Sequence, residues 1–172
     1  AYPTETAYGL GVNPFSEDAL ARLFAAKERP EDNPVLLIVS GTEQLPGVAR
    51  RISPAARACM RAFWPGPLSL LLPSAGTVPR ALTAGSHRVC VRCPGNAVAR
   101  DLCRLAGMPV TSTSANRAGE PPARSLDTLD VPDVALAVNG GELAPGPPST
   151  VFDPDTREIK RAGAVTQAAI ER

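Results

Sequence analysis

Apolar residues fall in short runs along this chain, separated by prolines, glycines and stretches with helical spacing. Val35 to Val39 is continuously apolar between Pro34 and Ser40-Gly41, the form of a strand covered on both faces. Leu68 to Leu72 reads as a second buried strand and Arg88 to Cys93 as a third. Val110 opens a strand that passes into the hydroxyl-rich loop Thr111-Ser112-Thr113-Ser114-Ala115-Asn116. Val134 to Val138, ending at Asn139-Gly140-Gly141, predicts a further strand. Ser149–Asp153 and Arg157–Arg161 predict a hairpin around Pro154-Asp155-Thr156. Three helices alternate with these runs. The first starts at Ser16-Glu17-Asp18, a capping hydroxyl followed by acids, and carries Leu20, Leu23, Phe24 and Lys27 at helical spacing before Pro30 and Pro34 close it. The second starts at Ser53-Pro54 and stops at Pro65-Gly66-Pro67. Asn96 caps the third, which carries Val98, Leu102 and Leu105 and ends at Gly107. Strands interleaved with helices, closed by a late hairpin, predict an α/β layered domain with a mixed sheet.

A length of 172 residues fits one domain over 1–172, with no repeat or internal boundary. The 19 prolines and 14 glycines are spread as punctuation, which argues for many short connections and against a disordered tract. Net charge is +1, far from the basicity of a dedicated nucleic-acid binder, so any RNA contact would be local or transient. No apolar run reaches membrane-span length and the first residues lack signal-peptide order, which points to a cytoplasmic protein with no membrane contact. His87, Cys90, Cys93 and Cys103 have the ligand count of a zinc site. Residues three apart on a strand point to opposite faces, however, so buried or free thiols are the expectation and no metal site is assigned.

Several standard machines are missing: there is no Walker loop, no dinucleotide Gly-x-Gly-x-x-Gly, and no nucleophile elbow to partner the single His. Cations and hydroxyls at element ends remain. Tyr2-Pro3-Thr4-Glu5-Thr6-Ala7-Tyr8-Gly9-Leu10-Gly11 opens extended, concentrates polar groups, and leaves through glycines that permit φ > 0 or a close backbone approach. Lys27 and Arg29 follow a helix, just before Asn33-Pro34. Arg92 lies inside an otherwise apolar strand, where a guanidinium is costly without an anion beside it. That anion could be a ligand carboxylate or phosphate, or an internal partner such as Glu5 or an Asp. The hydroxyls of Thr111 to Ser114 with the Asn116 amide could hold phosphate or ribose oxygens, or form an ordinary turn. Ser149-Thr150 and Arg161 repeat the theme. Together these point to an anionic ligand, a nucleotide among the candidates.

The same positions resemble the YrdC/TsaC family, the threonylcarbamoyl-AMP synthases, in order and over essentially the full chain. The opening Pro-Thr-Glu-Thr-x-Tyr-Gly-Leu-Gly is similar to its first motif. Lys27-Glu28-Arg29-Pro30 with Asn33-Pro34, Pro65-Gly66-Pro67-Leu68-Ser69, Val89 to Pro94, Thr113 to Pro121, Ser149-Thr150-Val151 and Arg161-Ala162-Gly163 resemble the rest. The resemblance implies a twisted mixed sheet with flanking helices and a concave, positively lined cleft. It implies nucleotidyl transfer: L-threonine, bicarbonate and ATP, with Mg2+ on the phosphates, give threonylcarbamoyl-AMP and pyrophosphate. Downstream threonylcarbamoyl-transfer proteins then modify the adenosine beside the anticodon of tRNAs reading A-starting codons. Carried over by position, Thr6, Arg92 and Ser149 hold threonine. Lys27, Arg29, Asn33, Ser114, Asn116 and Arg161 hold the nucleotide, with Arg88 and Ser112 as weaker candidates, and Lys27 and Arg29 are the catalytic cations.

The carbamate and the triphosphate are both anions, so such a site needs cations more than a strong base. Lys27, a cation at a helix end, is expected to matter for turnover and little for folding. Departures from the family are few. Leu37-Ile38-Val39 stands where longer relatives place a His, which implies one lost threonine contact. The chain starts almost at the first motif, without the family's preceding helix and half-strand, and ends without the long form's extra domain. The competing assignments are a non-synthase relative of the fold that binds RNA or an adenylate, including ribosome-associated members, and a carbamoyl-adenylate domain of the hydrogenase-maturation type, which normally belongs to a much longer chain.

Overall fold

The computed structural model describes residues 1–28, 34–117 and 119–172. The expected site residues Arg29 and Asn33 lie outside them. In chain order the strands and helices are β1 (Tyr2–Pro3), β2 (Tyr8–Leu10), α1 (Glu17–Lys27), β3 (Leu36–Ile38), α2 (Pro54–Phe63), β4 (Leu68–Pro73), α3 (Arg80–Thr83), β5 (Arg88–Arg92), α4 (Ala97–Ala106), β6 (Val110–Thr111), β7 (Thr113–Ser114), β8 (Thr150–Asp153), β9 (Glu158–Arg161) and α5 (Gln167–Ile170). Six strands form a mixed sheet in the order β6-β3-β5-β4-β8-β9, and β1-β2-β7 form a small antiparallel one. The mixed α/β architecture with flanking helices is the one the pattern predicts.

The apolar runs become the sheet's centre. Leu37, Ile38, Leu68, Leu70, Val89 and Val91 are all buried, as strands covered on both faces require. The parallel pairs are β3 with β5 and β4 with β8; β4 runs antiparallel to β5, and β8 to β9. That register fixes two different ends. Arg92 ends β5, Leu68-Ser69 begins β4, Ser149 precedes β8, and Arg161 ends β9, all at one end of the sheet. Arg88, Pro73 and Asp153 gather at the other.

The expected caps form. Ser16, Ser53 and Asn96 each accept a first-turn backbone N–H through their side chains, and Gly107 ends α4 at φ 67. Two expectations are corrected. Val134 to Val138 is not a strand: among the described residues its backbone bonds go to Ala1, which donates to the Leu136 carbonyl at 2.7 Å and accepts from Val138 N–H at 2.9 Å, too short a pairing for a ladder. In α4 the buried face is Ala99 and Cys103, while Val98 and Leu105 point outward, Leu105 with 76% of its surface exposed. Small residues at i and i+4 let α4 lie close to β1 and β3.

Candidate active site

The opening motif is a tight turn between short strands. Thr4 closes it by donating from its amide and its hydroxyl to the Ala7 carbonyl, at 3.0 and 2.6 Å. Glu5 and Thr6 therefore stand at its tip. The motif's two phenols are structural posts. Buried Tyr2 donates to the Thr111 carbonyl at 2.7 Å, while Tyr8 donates to the Gly141 carbonyl and accepts from the Gly140 amide. The glycines serve Tyr2 too: a Cβ on Gly11 would lie 2.7 Å from Tyr2 Cε1 and one on Gly9 3.2 Å from Tyr2 Cζ. The close approach is made by a neighbouring ring.

Between this turn and the sheet end lies a cavity of about 520 Å³. Thr6 borders it from the turn, Arg92 from β5, Ser112 and Ser114 from the β6–β7 segment, Ser149 from the approach to β8, and Arg161 from β9. Arg124 and the 145–148 coil also line it, and among the described residues no Asp or Glu does. Gly146 is placed by space: a Cβ there would come within 2.6 Å of Thr6 Cγ2.

Two of the arginines are held in contrasting ways. Arg161 grips the chain before β8: Nη2 donates to the Ser149 carbonyl at 2.7 Å and to its hydroxyl at 3.0 Å, and Nε to the same carbonyl at 3.2 Å. The Ser149 hydroxyl also meets buried Ser69, oxygen to oxygen 2.9 Å. Arg92 is buried, with an ion pair from Nη1 to Glu5 Oε2 at 3.0 Å. Its Nε is buried with no hydrogen-bond partner among the described residues. The internal partner and the cavity position, alternatives in the sequence, therefore occur together. Burial raises the thiol of Cys90, two residues before Arg92 on β5, to about 12 against the lowering influence of Arg161 and Arg92, so this cysteine is a neutral filler.

Lys27 differs from its expectation. It is buried at the end of α1, and its ammonium donates to the Ser114 carbonyl and, at 2.7 Å, to the Asn116 carbonyl. It ties the hydroxyl-rich loop to α1 and is not among the residues lining the cavity. A buried cation holding two carbonyls belongs to the fold, which corrects the expectation that it matters little for folding. Asn116 also stands behind the lining: its amide donates to the Arg117 and Glu120 carbonyls at 2.9 and 2.7 Å, and its Oδ1 is buried without a partner among the described residues.

Arg88 is elsewhere. Four residues before Arg92 on the same strand, it stands ~13 Å away. It pairs with Asp153, with Asp155 at 3.0 Å, and with the Leu71 carbonyl. Arg51 joins at 3.3 Å from Asp155. The structure thus brings Thr6, Arg92, Ser112, Ser114, Ser149 and Arg161 to one cavity, sets Lys27 and Asn116 behind it, and removes Arg88. Sequence reasoning missed Arg124, a lone cation in a proline-rich stretch, and considered Glu5 only as a possible internal partner for Arg92. The four cysteines are free and buried.

Fold and site together define a mixed-sheet α/β protein with an arginine-lined cavity at one sheet end. The chain belongs to the Sua5/YciO/YrdC family, whose model, described as telomere recombination, matches residues 1–163. It is 40% identical over 156 residues to a threonylcarbamoyl-AMP synthase of Pyrococcus abyssi, which covers 89% of this chain and 46% of that one. A threonylcarbamoyl-AMP synthase of Cellvibrio japonicus is 43% identical over 126 residues, 73% of this chain and 67% of that one. The crystal structure of P. abyssi Sua5 complexed with L-threonine superposes with a TM-score of 0.88 at 37% identity, covering 99% of this chain and 52% of that one. The chain therefore spans about half the length of the Pyrococcus relative. No described helix is long and apolar enough to cross a membrane.

Proposed function

We propose that this chain is an L-threonylcarbamoyladenylate synthase, a nucleotidyltransferase acting on L-threonine, bicarbonate and ATP. The observation that carries the reading is Arg92: a buried guanidinium in the cavity wall, held on one side by Glu5, with Nε and Nη2 unpartnered among the described residues. A planar fork with open donors suits the threonine carboxylate. Thr6 and Ser149, in the same wall, face the rest of the amino acid.

In this reading threonine's amine and bicarbonate form a carbamate, whose oxygen attacks the α-phosphate as pyrophosphate leaves. Arg161 offsets the charge that gathers where these anions meet. Ser114 and Ser112 offer hydroxyls to the nucleotide; Lys27 fixes the loop that carries them, and Asn116 Oδ1, unpartnered among the described residues, offers an acceptor. By the family resemblance Arg29 and Asn33 complete the nucleotide contacts. Among the described residues the lining supplies hydroxyls and no carboxylate, which suits magnesium entering as part of the nucleotide, held by phosphates and water. The product goes to cytoplasmic proteins that transfer the threonylcarbamoyl group to tRNA.

Calorimetry tests the amino-acid half. Arg92→Ala should lose about 2 kcal/mol or more of threonine affinity, about thirtyfold in Kd, because a charged bidentate partner is removed. Unchanged affinity contradicts the assignment.

A further inference from the structure

We infer that Glu5 is a positioning residue that sets the edge of Arg92 presented to the amino acid's carboxylate. The inference rests on the proposed threonine site.

Glu5 has two oxygens and two donors to meet them. Oε1 accepts the Gly95 amide and Oε2 accepts Arg92 Nη1 at 3.0 Å. Gly95 begins the turn into α4, which is fixed in its own right: Asn96 caps the helix and donates to the Thr4 carbonyl at 3.0 Å, and Arg100 donates to the Gly95 carbonyl at 2.7 Å. The carboxylate is thus a bridge between a rigid helix start and the guanidinium. Holding Nη1 orients the planar group and leaves the opposite edge, Nε with Nη2, as its uncommitted donors among the described residues. A buried Nε without a partner is an unmet donor of the kind a ligand carboxylate satisfies.

Only a carboxylate meets both donors. Glutamine would place an NH2 against either the Gly95 amide or Arg92, and alanine would release both. Glu5 acts here through Arg92 and is not itself placed on the substrate.

The test is threonine titration of the full chain by calorimetry, with the wild type measured first. If the wild type does not bind threonine, the proposed function fails and Glu5 with it. If it binds, Glu5→Gln and Glu5→Ala should each raise the threonine Kd about tenfold or more, as expected when one partner of a charge pair is removed. The nucleotide KM should stay within about twofold and thermal unfolding should remain cooperative. In an Arg92→Ala background, Glu5→Gln should change the threonine Kd by less than about twofold, since the positioned group is gone. Threoninamide, which lacks the carboxylate, should bind the wild type and Glu5→Gln alike. Unchanged or tighter threonine binding by Glu5→Gln, or an equal loss in the Arg92→Ala background, overturns the inference while leaving the threonine site standing.

Discussion

Lys27 shows how far a residue's chemistry depends on where its stem leads. Its place on the buried face of α1, one turn after Leu23 and Phe24, carries the ammonium inward to the Ser114 and Asn116 carbonyls. Replacing it with Met keeps the apolar stem and removes the charged donors. Urea unfolding of Lys27→Met should show a loss of about 2 kcal/mol or more, the scale for charge-assisted hydrogen bonds to buried acceptors. A variant as stable as the wild type would return Lys27 to a surface role. Gly146 makes a different prediction. A valine there would push against Thr6, so Gly146→Val should raise the threonine KM severalfold and leave the unfolding midpoint nearly unchanged. Equal threonine KM values would separate the 145–148 coil from the amino-acid site. Neither residue's role was legible from the chain: a lysine at a helix end reads as solvated, and one glycine among prolines reads as a turn.

At the scale of elements, strand register decides which cations share a site. Arg88 and Arg92 face the same side of β5 and were both candidates, yet antiparallel β4 and parallel β8 put acids beside Arg88 and hydroxyls beside Arg92. Arg88→Ala should therefore destabilise the hairpin end while leaving threonine and ATP KM values unchanged, a split that steady-state kinetics with a thermal melt would reveal. The acids there predict a pH effect. Partial burial pushes the Asp155 carboxyl up, but hydrogen bonds from Arg88 and Ser53 and the Arg51 charge outweigh it and hold the group below its ordinary 3.8. A depressed carboxyl stabilises the folded state above that value and loses the effect as pH falls through the folded one. The drop in melting temperature below pH 3.8 should be shallower for Asp155→Asn than for the wild type; identical acid profiles would remove Asp155 from the account. Caps, buried strands and the β8–β9 hairpin were legible because their signals are local. The buried face of α4 was not, since Ala99 and Cys103 are chosen by how closely the helix packs, and Leu105 is left outside.

For the whole molecule, the folded chain brings Thr6, Arg92, Ser149 and Arg161 from four separate segments to one cavity. The resemblance to the synthases implies Thr6, Arg92 and Ser149 for threonine and Arg161 for the nucleotide, and the strand order supplies the physical reason the four share one cavity. The account's central claim is that this cavity joins a threonine-derived carbamate to the α-phosphate of ATP. The most direct test mixes the chain with L-threonine, bicarbonate and magnesium-ATP, follows pyrophosphate release, and identifies the nucleotide product by mass spectrometry. The account predicts threonylcarbamoyl-AMP and pyrophosphate in equal amounts, both lost when threonine or bicarbonate is omitted and both strongly reduced in Arg92→Ala. Pyrophosphate release that ignores threonine, or threonine binding with no adenylate formed, would contradict it.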